Sequence, residues 1–150
     1  MRNICSSEER SKRSMRKVIF TNGCFDILHK GHVQLLAHCH KLAHFQPYGG
    51  QGEVVVGLNS DSSVKRLKGD KRPINNEEDR MFLLESLRFV DRVVIFDEDT
   101  PYRLISDIKP YIIVKGGDYA PEDVVGNDIA KVEIFNFVDG YSTTKTINKL

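Results

Sequence analysis

Two histidines, His29 and His32, lie where a short apolar run at 18–20 gives way to a helical pattern of apolar residues at 33–42. The run predicts an interior strand, and the pattern predicts a helix that begins near the histidines. A spacing of three places both imidazoles on one side of that helix, beside its free N-terminal amides, where N–H groups and the helix dipole favour an anion. Gly31 has no Cβ, so a phosphate chain can approach the backbone closely. This stretch therefore predicts a phosphate-binding turn.

The histidine pair has a simpler explanation, since a single histidine in such a stretch would more often be an ordinary surface or core residue. Two histidines at this spacing, directly after a strand and Gly23, favour a functional site instead. Cys24 is the best candidate for a nucleophile, but His29 is better placed to bind phosphate and no other partner base is evident. A small turn residue is the simpler interpretation of Cys24, and direct transfer without a covalent intermediate is the predicted chemistry.

A basic segment follows the second predicted strand, which covers 54–58. Solvated surface would account for its charges, but ligands of open α/β sheets bind beyond the carboxyl ends of the strands, where this segment should lie. Two histidines, several cations and helix N-termini together suit a triphosphate and the transfer of part of it. The cations are Lys65, Arg66, Lys68, Lys71 and Arg72.

Five short apolar runs alternate with helical patterns along the chain, which predicts an α/β fold: a five-stranded parallel sheet with helices on both faces and right-handed crossovers. The segments that follow the strands should gather along one edge of the sheet, where they bring together histidines, cations, a diglycine and hydroxyls. A helix with an acidic first turn begins near Asn76 and is predicted to continue through Arg88. The strands are predicted at 18–20, 54–58, 93–96, 111–114 and 132–138, and the edge segments at 21–32, 59–73, 115–119 and 139–144.

The composition is that of an ordinary soluble protein with one sizeable core: 150 residues, 40% hydrophobic and 29% charged, with a formal net charge of +1. It lacks the basic excess of a nucleic-acid binder, and no apolar run is long enough for a membrane span or a secretory signal. Three cysteines without paired spacing argue against a disulfide framework and predict a cytoplasmic location. Residues 1–16 are basic and poor in apolar side chains, so a flexible arm is predicted before a single domain at 17–150.

The first helix carries further potential metal ligands, among them His40 and His44 at a spacing of four. A zinc site could use this pair, but no third ligand follows at a suitable spacing. We therefore expect the polar face of an amphipathic helix and no protein-bound metal. The glycine-rich segment at 44–52 is predicted to be a loop.

The turn at 23–32 resembles the signature Gly-x-Phe-Asp-x-x-His-x-Gly-His of the cytidylyltransferase-like nucleotidyltransferases, and it matches every fixed position. Over about 17–150 the chain is more specifically similar to the D-glycero-β-D-manno-heptose 1-phosphate adenylyltransferases, which occur alone or as the C-terminal half of a bifunctional kinase and adenylyltransferase. The matching segments are 21–26, 57–61, 66–69, 78–80, 96–101, 115–119 and 140–144.

The resemblance implies a Rossmann-like nucleotidyltransferase fold and an enzyme that moves AMP from ATP to heptose 1-phosphate by direct in-line attack, which yields ADP-heptose for lipopolysaccharide and releases pyrophosphate. It also implies Mg²⁺ bound through the nucleotide phosphates, a homodimer, and a separate sugar kinase, since no kinase domain precedes this one. Two alternatives stay open. One is a CTP-dependent glycerol-3-phosphate cytidylyltransferase, which has a similar Gly-x-Ser-Thr-Thr ending but usually an arginine at the position of Phe137; the other is a nucleotide-binding module without catalysis.

The resemblance also implies roles for individual residues. His29 and His32 would stabilise the transition state at the α-phosphate, and Lys68 would neutralise phosphate. Arg80 and Arg88, two turns apart on one helix, would complete a cationic wall, with surface ion pairing as the alternative. The catalytic set is His29, His32, Lys68 and Arg80, and the acceptor set is Asn59, Asp61 and Lys68. The nucleotide-binding set is Gly23, Cys24, Phe25, Asp26, Gly31, Arg88, Lys115, Gly116, Gly117, Asp118, Tyr141, Ser142, Thr143 and Thr144.

Overall fold

The structure is a computed structural model that describes residues 16–45, 51–136 and 147–148. Within these ranges no helix combines the length and the apolar character that crossing a bilayer requires. In chain order the elements are β1 (Lys17–Gly23), α1 (Lys30–His44), β2 (Gly52–Asn59), α2 (Asp61–Lys68), α3 (Glu77–Glu85), β3 (Arg92–Phe96), α4 (Tyr102–Ile108), β4 (Ile112–Gly116), a 3₁₀ turn (Pro121–Asp123) and β5 (Lys131–Phe135).

The five strands form one parallel sheet in the order β3-β2-β1-β4-β5. From β1 the chain steps outward to β2 and β3, and it then returns past β1 to add β4 and β5 on the other side. The crevice beyond the carboxyl ends of β1 and β4 is therefore the topological switch point, which is where open α/β sheets bind ligands. The predicted α/β fold with five parallel strands is confirmed.

The sheet is covered on both faces, and the buried middle of each central strand is apolar on both sides. In β1, Ile19 and Phe20 are both fully buried, yet they point to opposite faces and belong to different halves of the core. Leu36 of α1 and Leu84 of α3 pack on the face of Ile19, whereas Ile105 of α4 packs on the face of Phe20. Since α1 follows β1 directly and packs back along the sheet, its N-terminus lies at the carboxyl edge of the strands.

Helix α3 ends at Glu85, earlier than the sequence predicted. The chain leaves the helix because Asp91 pairs with β2: its amide donates to the carbonyl of Val54 (3.1 Å), and its carboxylate accepts from the amide of Val54 (2.8 Å). These contacts start β3 after a short turn. The prediction that Arg80 and Arg88 are two turns apart on one helix is therefore wrong.

Several predicted segments reach beyond the described residues. β5 ends at Phe135, whereas the sequence predicted a strand as far as 138, of which residues 137 and 138 lie outside the described ranges. Also outside them are the predicted arm apart from Arg16, residues 46–50 of the predicted loop, and the hydroxyl-bearing turn at 139–144. The interpretations of those segments stay predictions.

Candidate active site

His29 and His32 cap the first helix reciprocally. His29 is the N-cap of α1, and its Nδ1 accepts a hydrogen bond from the backbone amide of His32 (3.4 Å). The amide of His29 in turn donates to Nδ1 of His32 (3.3 Å), and the two rings stack with their centroids 3.7 Å apart. The pair thus replaces the serine or threonine and the glutamate or glutamine of an ordinary capping box. We call this arrangement the histidine box.

The hydrogen bonds of the histidine box assign the tautomer of both rings. Each Nδ1 acts as an acceptor, so the proton of each neutral imidazole lies on Nε2. Burial, and secondly the neighbouring His29, lower the pKa of His32 to about 4, and burial lowers the pKa of His29. Without an anionic neighbour both rings are therefore neutral at pH 7, and each carries its proton on Nε2. A bound phosphate would raise both pKa values, because it stabilises the imidazolium form.

The turn that leads into the histidine box contains a strained aromatic residue. Phe25 has a positive φ of +43°, a conformation that costs about 1 kcal/mol or more for a residue with a Cβ. Its ring is buried, and its centroid lies 5.1 Å from that of the His32 imidazole. A Cβ added to Gly23 would come within 3.2 Å of the same ring, so glycine leaves the space that Phe25 fills. The ring of Phe25 thus packs against the imidazole of His32 and supports it.

The carboxylate of Asp26 holds the basic segment, through Arg72, against this turn. It is 1% exposed and accepts hydrogen bonds from the amides of Ile74 (2.8 Å) and Asn75 (2.9 Å) and from Nε of Arg72 (3.0 Å). Burial by itself would raise the pKa of Asp26, but these hydrogen bonds outweigh it and the pKa is lowered. Because three donors occupy the carboxylate, the prediction that it lines the nucleotide pocket is corrected: Asp26 positions the loop that carries Arg72.

Arg80 joins the ends of β1 and β2 from inside the protein. Its side chain is fully buried, and its guanidinium donates to the carbonyls of Cys24 (2.8 Å), Asn59 (2.8 Å) and Asn75 (2.9 Å) and to the carboxylate of Asp61 (2.8 Å). The predicted contact of Arg80 with phosphate is therefore corrected, because protein acceptors hold the guanidinium away from the site. Oδ1 of Asp61 accepts from this guanidinium, and Asp61 is not among the residues that line the cavity described below, so the predicted acceptor role of Asp61 has no support from the site.

A cavity of about 470 Å³ opens at the carboxyl edge of the sheet, within the usual size range of small-molecule sites. Segments that follow four neighbouring strands contribute to its wall, as the doubly wound topology requires. The end of β1 contributes Asn22, Gly23, Cys24, Phe25 and His32; the end of β2 contributes Asn59, Leu67, Lys68 and Arg72; β3 is followed by Asp99, Thr100 and Pro101, and β4 contributes Lys115 and is followed by Tyr119 and Val125.

Three cations converge on this cavity, and two of them have no acidic partner in the described part of the chain. Within the described part of the chain, neither Lys68 nor Lys115 has a carboxylate at salt-bridge distance, and Arg72 uses only its Nε for Asp26. Burial lowers the pKa of Lys115, and the charge of Lys68 adds to this change, whereas the charge of a Cys24 thiolate would oppose it. The ammonium of Lys115 lies 5.1 Å from the ring centroid of Tyr119. Such a cluster, in which Lys68 is exposed and Arg72 and Lys115 are partly buried, is suited to a polyphosphate.

The predicted site residues divide into those that line the cavity and those that support it. The former are Gly23, Cys24, Phe25, His32, Asn59, Lys68 and Lys115, and Gly116 lines an adjoining recess. His29 holds the helix end, Gly31 is buried in the first turn of α1, Gly117 has the positive φ of +107° that its turn requires, and Asp118 is exposed. Tyr141, Ser142, Thr143 and Thr144 lie outside the described residues.

Several lining residues were missed by the sequence interpretation. Asn22, Thr100 and Tyr119 belong to segments that match the family, yet no role was predicted for them. Arg72 was predicted only as one of the cations of the basic segment, without a role of its own. Their positions could have indicated them, because each of these residues lies at the carboxyl end of a strand or in the segments that follow it.

Arg88 lies at the opposite end of α1 from the histidine box. It borders a different concavity, of about 670 Å³, together with His40, Lys41, Phe45 and Phe89, and its guanidinium lies 4.9 Å from the ring centroid of Phe89. The prediction that Arg88 binds the nucleotide is therefore corrected for a site formed within one chain. The physical reason is the early end of α3, which turns the chain away from the cavity.

The donor set of the cavity is not that of a protein-bound metal. Within the described ranges no three histidine, cysteine, aspartate or glutamate side chains converge on a metal position. Asp26 and Asp61 are each paired with an arginine, whereas Asp99 lies in the wall of the cavity.

Residues 20–147 match the cytidylyltransferase-like family. The bifunctional protein HldE of Aliarcobacter butzleri is 55% identical over 136 residues, which are 90% of this chain and 27% of HldE. HldE of Helicobacter pylori strain J99 is 52% identical over 143 residues, 95% of this chain and 29% of that protein. The chain thus spans less than a third of the length of these curated relatives.

Solved structures agree with this relationship. A lipopolysaccharide core biosynthesis protein from Thermoplasma volcanium superposes with a TM-score of 0.64 at 28% identity, and the match covers 84% of this chain and 98% of that protein. Pantothenate synthetase from Thermus thermophilus shares the fold, with a TM-score of 0.52 at 18% identity over 86% of this chain and 60% of that one. The match over residues 20–147, which includes the complete signature that ends in the histidine box, shows that the chain belongs to the cytidylyltransferase-like family.

Proposed function

We propose that the chain transfers the adenylyl group of ATP to D-glycero-β-D-manno-heptose 1-phosphate and releases pyrophosphate. The observation that carries the proposal is the histidine box at the edge of a cavity that also contains Lys68, Arg72 and Lys115. The identity of 50 to 55% with bifunctional HldE proteins over at least 90% of the chain supports the sugar-nucleotide assignment within the family.

The proposed reaction is a direct displacement at the α-phosphorus. A phosphate oxygen of the acceptor forms the new P–O bond while the bond to the bridging oxygen breaks and pyrophosphate leaves with that oxygen. The Nε2–H donor of His32, which lines the cavity, stabilises the charge that spreads over the α-phosphate oxygens, and His29 is proposed to do the same from the helix end that it caps. Lys68, Arg72 and Lys115 neutralise the reacting phosphates and hold them in line.

A covalent enzyme intermediate has no support from the site. Cys24 is the thiol in the cavity wall, and burial raises its pKa despite the opposing charges of Lys68, Arg80 and Arg72. Its thiol is therefore protonated at neutral pH, and a protonated thiol is a poor nucleophile. Direct attack by the acceptor is consistent with this chemistry.

The nucleotide is proposed to lie in the crevice between β1 and β4, against the backbone of Gly23 and Gly116. Mg²⁺ would enter with the triphosphate and neutralise part of its charge. A homodimer and a cytoplasmic location are further proposals that rest on the resemblance to the adenylyltransferases.

A pyrophosphate-release assay tests the proposal by crossing ATP and CTP with heptose 1-phosphate and glycerol 3-phosphate. We expect the pair of ATP and heptose 1-phosphate to give the highest kcat/KM. Equal or faster turnover with CTP and glycerol 3-phosphate would overturn the sugar-nucleotide assignment in favour of a cytidylyltransferase. Nucleotide binding without pyrophosphate release from any pair would instead indicate a binding module.

A further inference from the structure

The cavity has a second half that the nucleotide does not explain. The switch point between β1 and β4 accounts for one end, but the wall continues over the ends of β2 and β3, where it contains Asn59, Lys68, Arg72, Asp99 and Thr100. We propose that this half is an acceptor subsite in which Asp99, Thr100 and Asn59 bind the hydroxyls of a polyhydroxylated phosphate, while Lys68 and Arg72 bind its phosphate. The inference rests on the proposed function, because it names the acceptor class of that reaction.

Asp99 is the residue that indicates a ligand with hydroxyl groups. A carboxylate in the wall of a phosphate site repels the phosphate, so its presence there has a cost for any ligand that is anionic throughout. A ligand with hydroxyl groups removes that cost, because an ionised carboxylate is an acceptor and a hydroxyl is its natural donor. The same wall offers Thr100, whose hydroxyl can both donate and accept.

One oxygen of the Asp99 carboxylate is hydrogen-bonded to an arginine. Nε of Arg66 donates to its Oδ1 at 2.8 Å, and the same guanidinium donates to the carbonyl of Asp97. In the described part of the chain, the second oxygen of Asp99 has no hydrogen bond. The side chain of Asp99 is 64% exposed, so this oxygen is accessible to a ligand.

Asn59 and the Asp99 segment are tied together by a hydrogen-bonded relay. Nδ2 of Asn59 donates to the hydroxyl of Ser63 (3.1 Å), which donates to the carbonyl of Glu98 (2.9 Å). Asp97 accepts from the hydroxyl of Ser60 (2.6 Å) and so fixes the start of the same segment to α2. The polar groups of the subsite are thereby preorganised, which reduces the entropy lost when a ligand binds.

Removal of Asp99 should change the affinities for two kinds of acceptor in opposite directions. In Asp99→Ala, the affinity for heptose 1-phosphate should fall about tenfold or more, because a hydrogen bond from a sugar hydroxyl to a charged group is lost. Ethyl phosphate has no hydroxyl besides those of its phosphate, so it should bind equally well or more tightly once the repelling carboxylate is gone. Thr100→Val, which keeps the side-chain shape, should show a smaller loss for heptose 1-phosphate alone.

The experiment is a calorimetric titration of the full chain with each acceptor in the presence of a non-hydrolysable ATP analogue. Asp107→Ala is the matched control, because Asp107 is an exposed carboxylate on α4 that does not line the cavity. Equal affinities of Asp99→Ala and Asp107→Ala for heptose 1-phosphate would overturn the subsite, and so would a parallel loss for both acceptors. No binding of heptose 1-phosphate to the unmodified chain would overturn it as well.

Steady-state assays on the same variants distinguish a failure of the proposed subsite from a failure of the proposed adenylyl transfer. If the unmodified chain turns over heptose 1-phosphate and Asp99→Ala leaves its KM unchanged, the subsite fails and the adenylyl transfer stands. If the sugar phosphate binds in an Asp99-dependent way but no pyrophosphate is released, the transfer fails and the subsite stands. The KM for ATP should be the same in Asp99→Ala, Asp107→Ala and the unmodified chain.

Discussion

Two pairs of histidines lie at opposite ends of α1, and their surroundings differ. At the N-terminal end, His29 and His32 stack at 3.7 Å and accept backbone amides. At the C-terminal end, His40 and His44 are tilted at 4.4 Å, and Nε2 of His44 lies 3.7 Å from the carboxylate of Asp91. Free amides at a helix start favour anions, whereas free carbonyls at its end favour cations. The same residue type is therefore suited to phosphate at one end and to a contact with a carboxylate at the other.

Two arginines show the same dependence on position. Arg80 and Arg88 were predicted to act together, yet Arg80 is fully buried among four acceptors and Arg88 is exposed beside an aromatic ring. The early end of α3 separates them. Residue type and helical spacing alone therefore do not identify which cation reaches a ligand.

Among the substitutions that test the comparison between the two ends of α1, the one at His32 should have the largest effect. His32→Ala should fold and should lower kcat for pyrophosphate release by about 10² to 10⁴, because it removes one donor to the reacting phosphate. His44→Ala, at the other end of the helix, should stay within about twofold of the unmodified chain, as surface substitutions usually do. Near-normal turnover by His32→Ala would remove the histidine box from the chemistry, and circular dichroism provides the check on folding.

A second effect concerns the two arginines. Arg80→Met should lower the free energy of unfolding by about 3 kcal/mol, because it leaves three carbonyls and a carboxylate without their buried donor. Arg88→Met should change it by less than about 0.5 kcal/mol, since Arg88 is exposed. Urea unfolding measures both. Similar losses in the two variants would contradict the assignment of Arg80 as a buried clamp.

The smallest effect is the pH dependence of the histidine box. Burial and the neighbouring His29 lower the pKa of His32 to about 4 in the folded chain, against 6.5 for an ordinary histidine. The unfolded chain therefore binds more protons than the folded one between these values, and folding stability is lost as the pH falls through that window. Above pH 6.5 the neutral ring imposes no such loss.

A variant that keeps the cap without titrating isolates this effect. His32→Gln can close the capping box with its side-chain oxygen, as glutamine does in other helices. The free energy of unfolding should fall less between pH 7 and about pH 4.5 in His32→Gln than in the unmodified chain. An identical loss in both chains would show that proton uptake by His32 is not linked to unfolding.

The strands and the histidine turn could be predicted because their signals are local. Buried parallel strands are continuous apolar runs, and a strand followed by glycine and a helix start is legible in a few residues. The role of Asp26 could not be predicted from such local signals. It belongs to the same motif as the histidines, but its partners Ile74 and Asn75 lie far along the chain, and only folding shows that they use up its carboxylate.

The acceptor half of the cavity was hidden for a related reason. Asp99 and Thr100 read as an ordinary polar loop after a strand, and their position in the wall depends on contacts with α2 through Ser60 and Ser63. Such contacts join segments more than thirty residues apart. No periodicity or spacing encodes them.

The sequence by itself determined the parallel α/β fold and the turn that presents two imidazoles at a helix start, because periodicity, turn residues and capping act between near neighbours. Only the tertiary structure decided which charges face the cavity and which are neutralised inside the protein. Arg80, Asp26 and Asp61 are held by each other's segments, whereas Lys68 and Lys115 are left to a ligand. That division follows from the way the strand ends converge, since a buried charge is stable only where distant segments supply its partners.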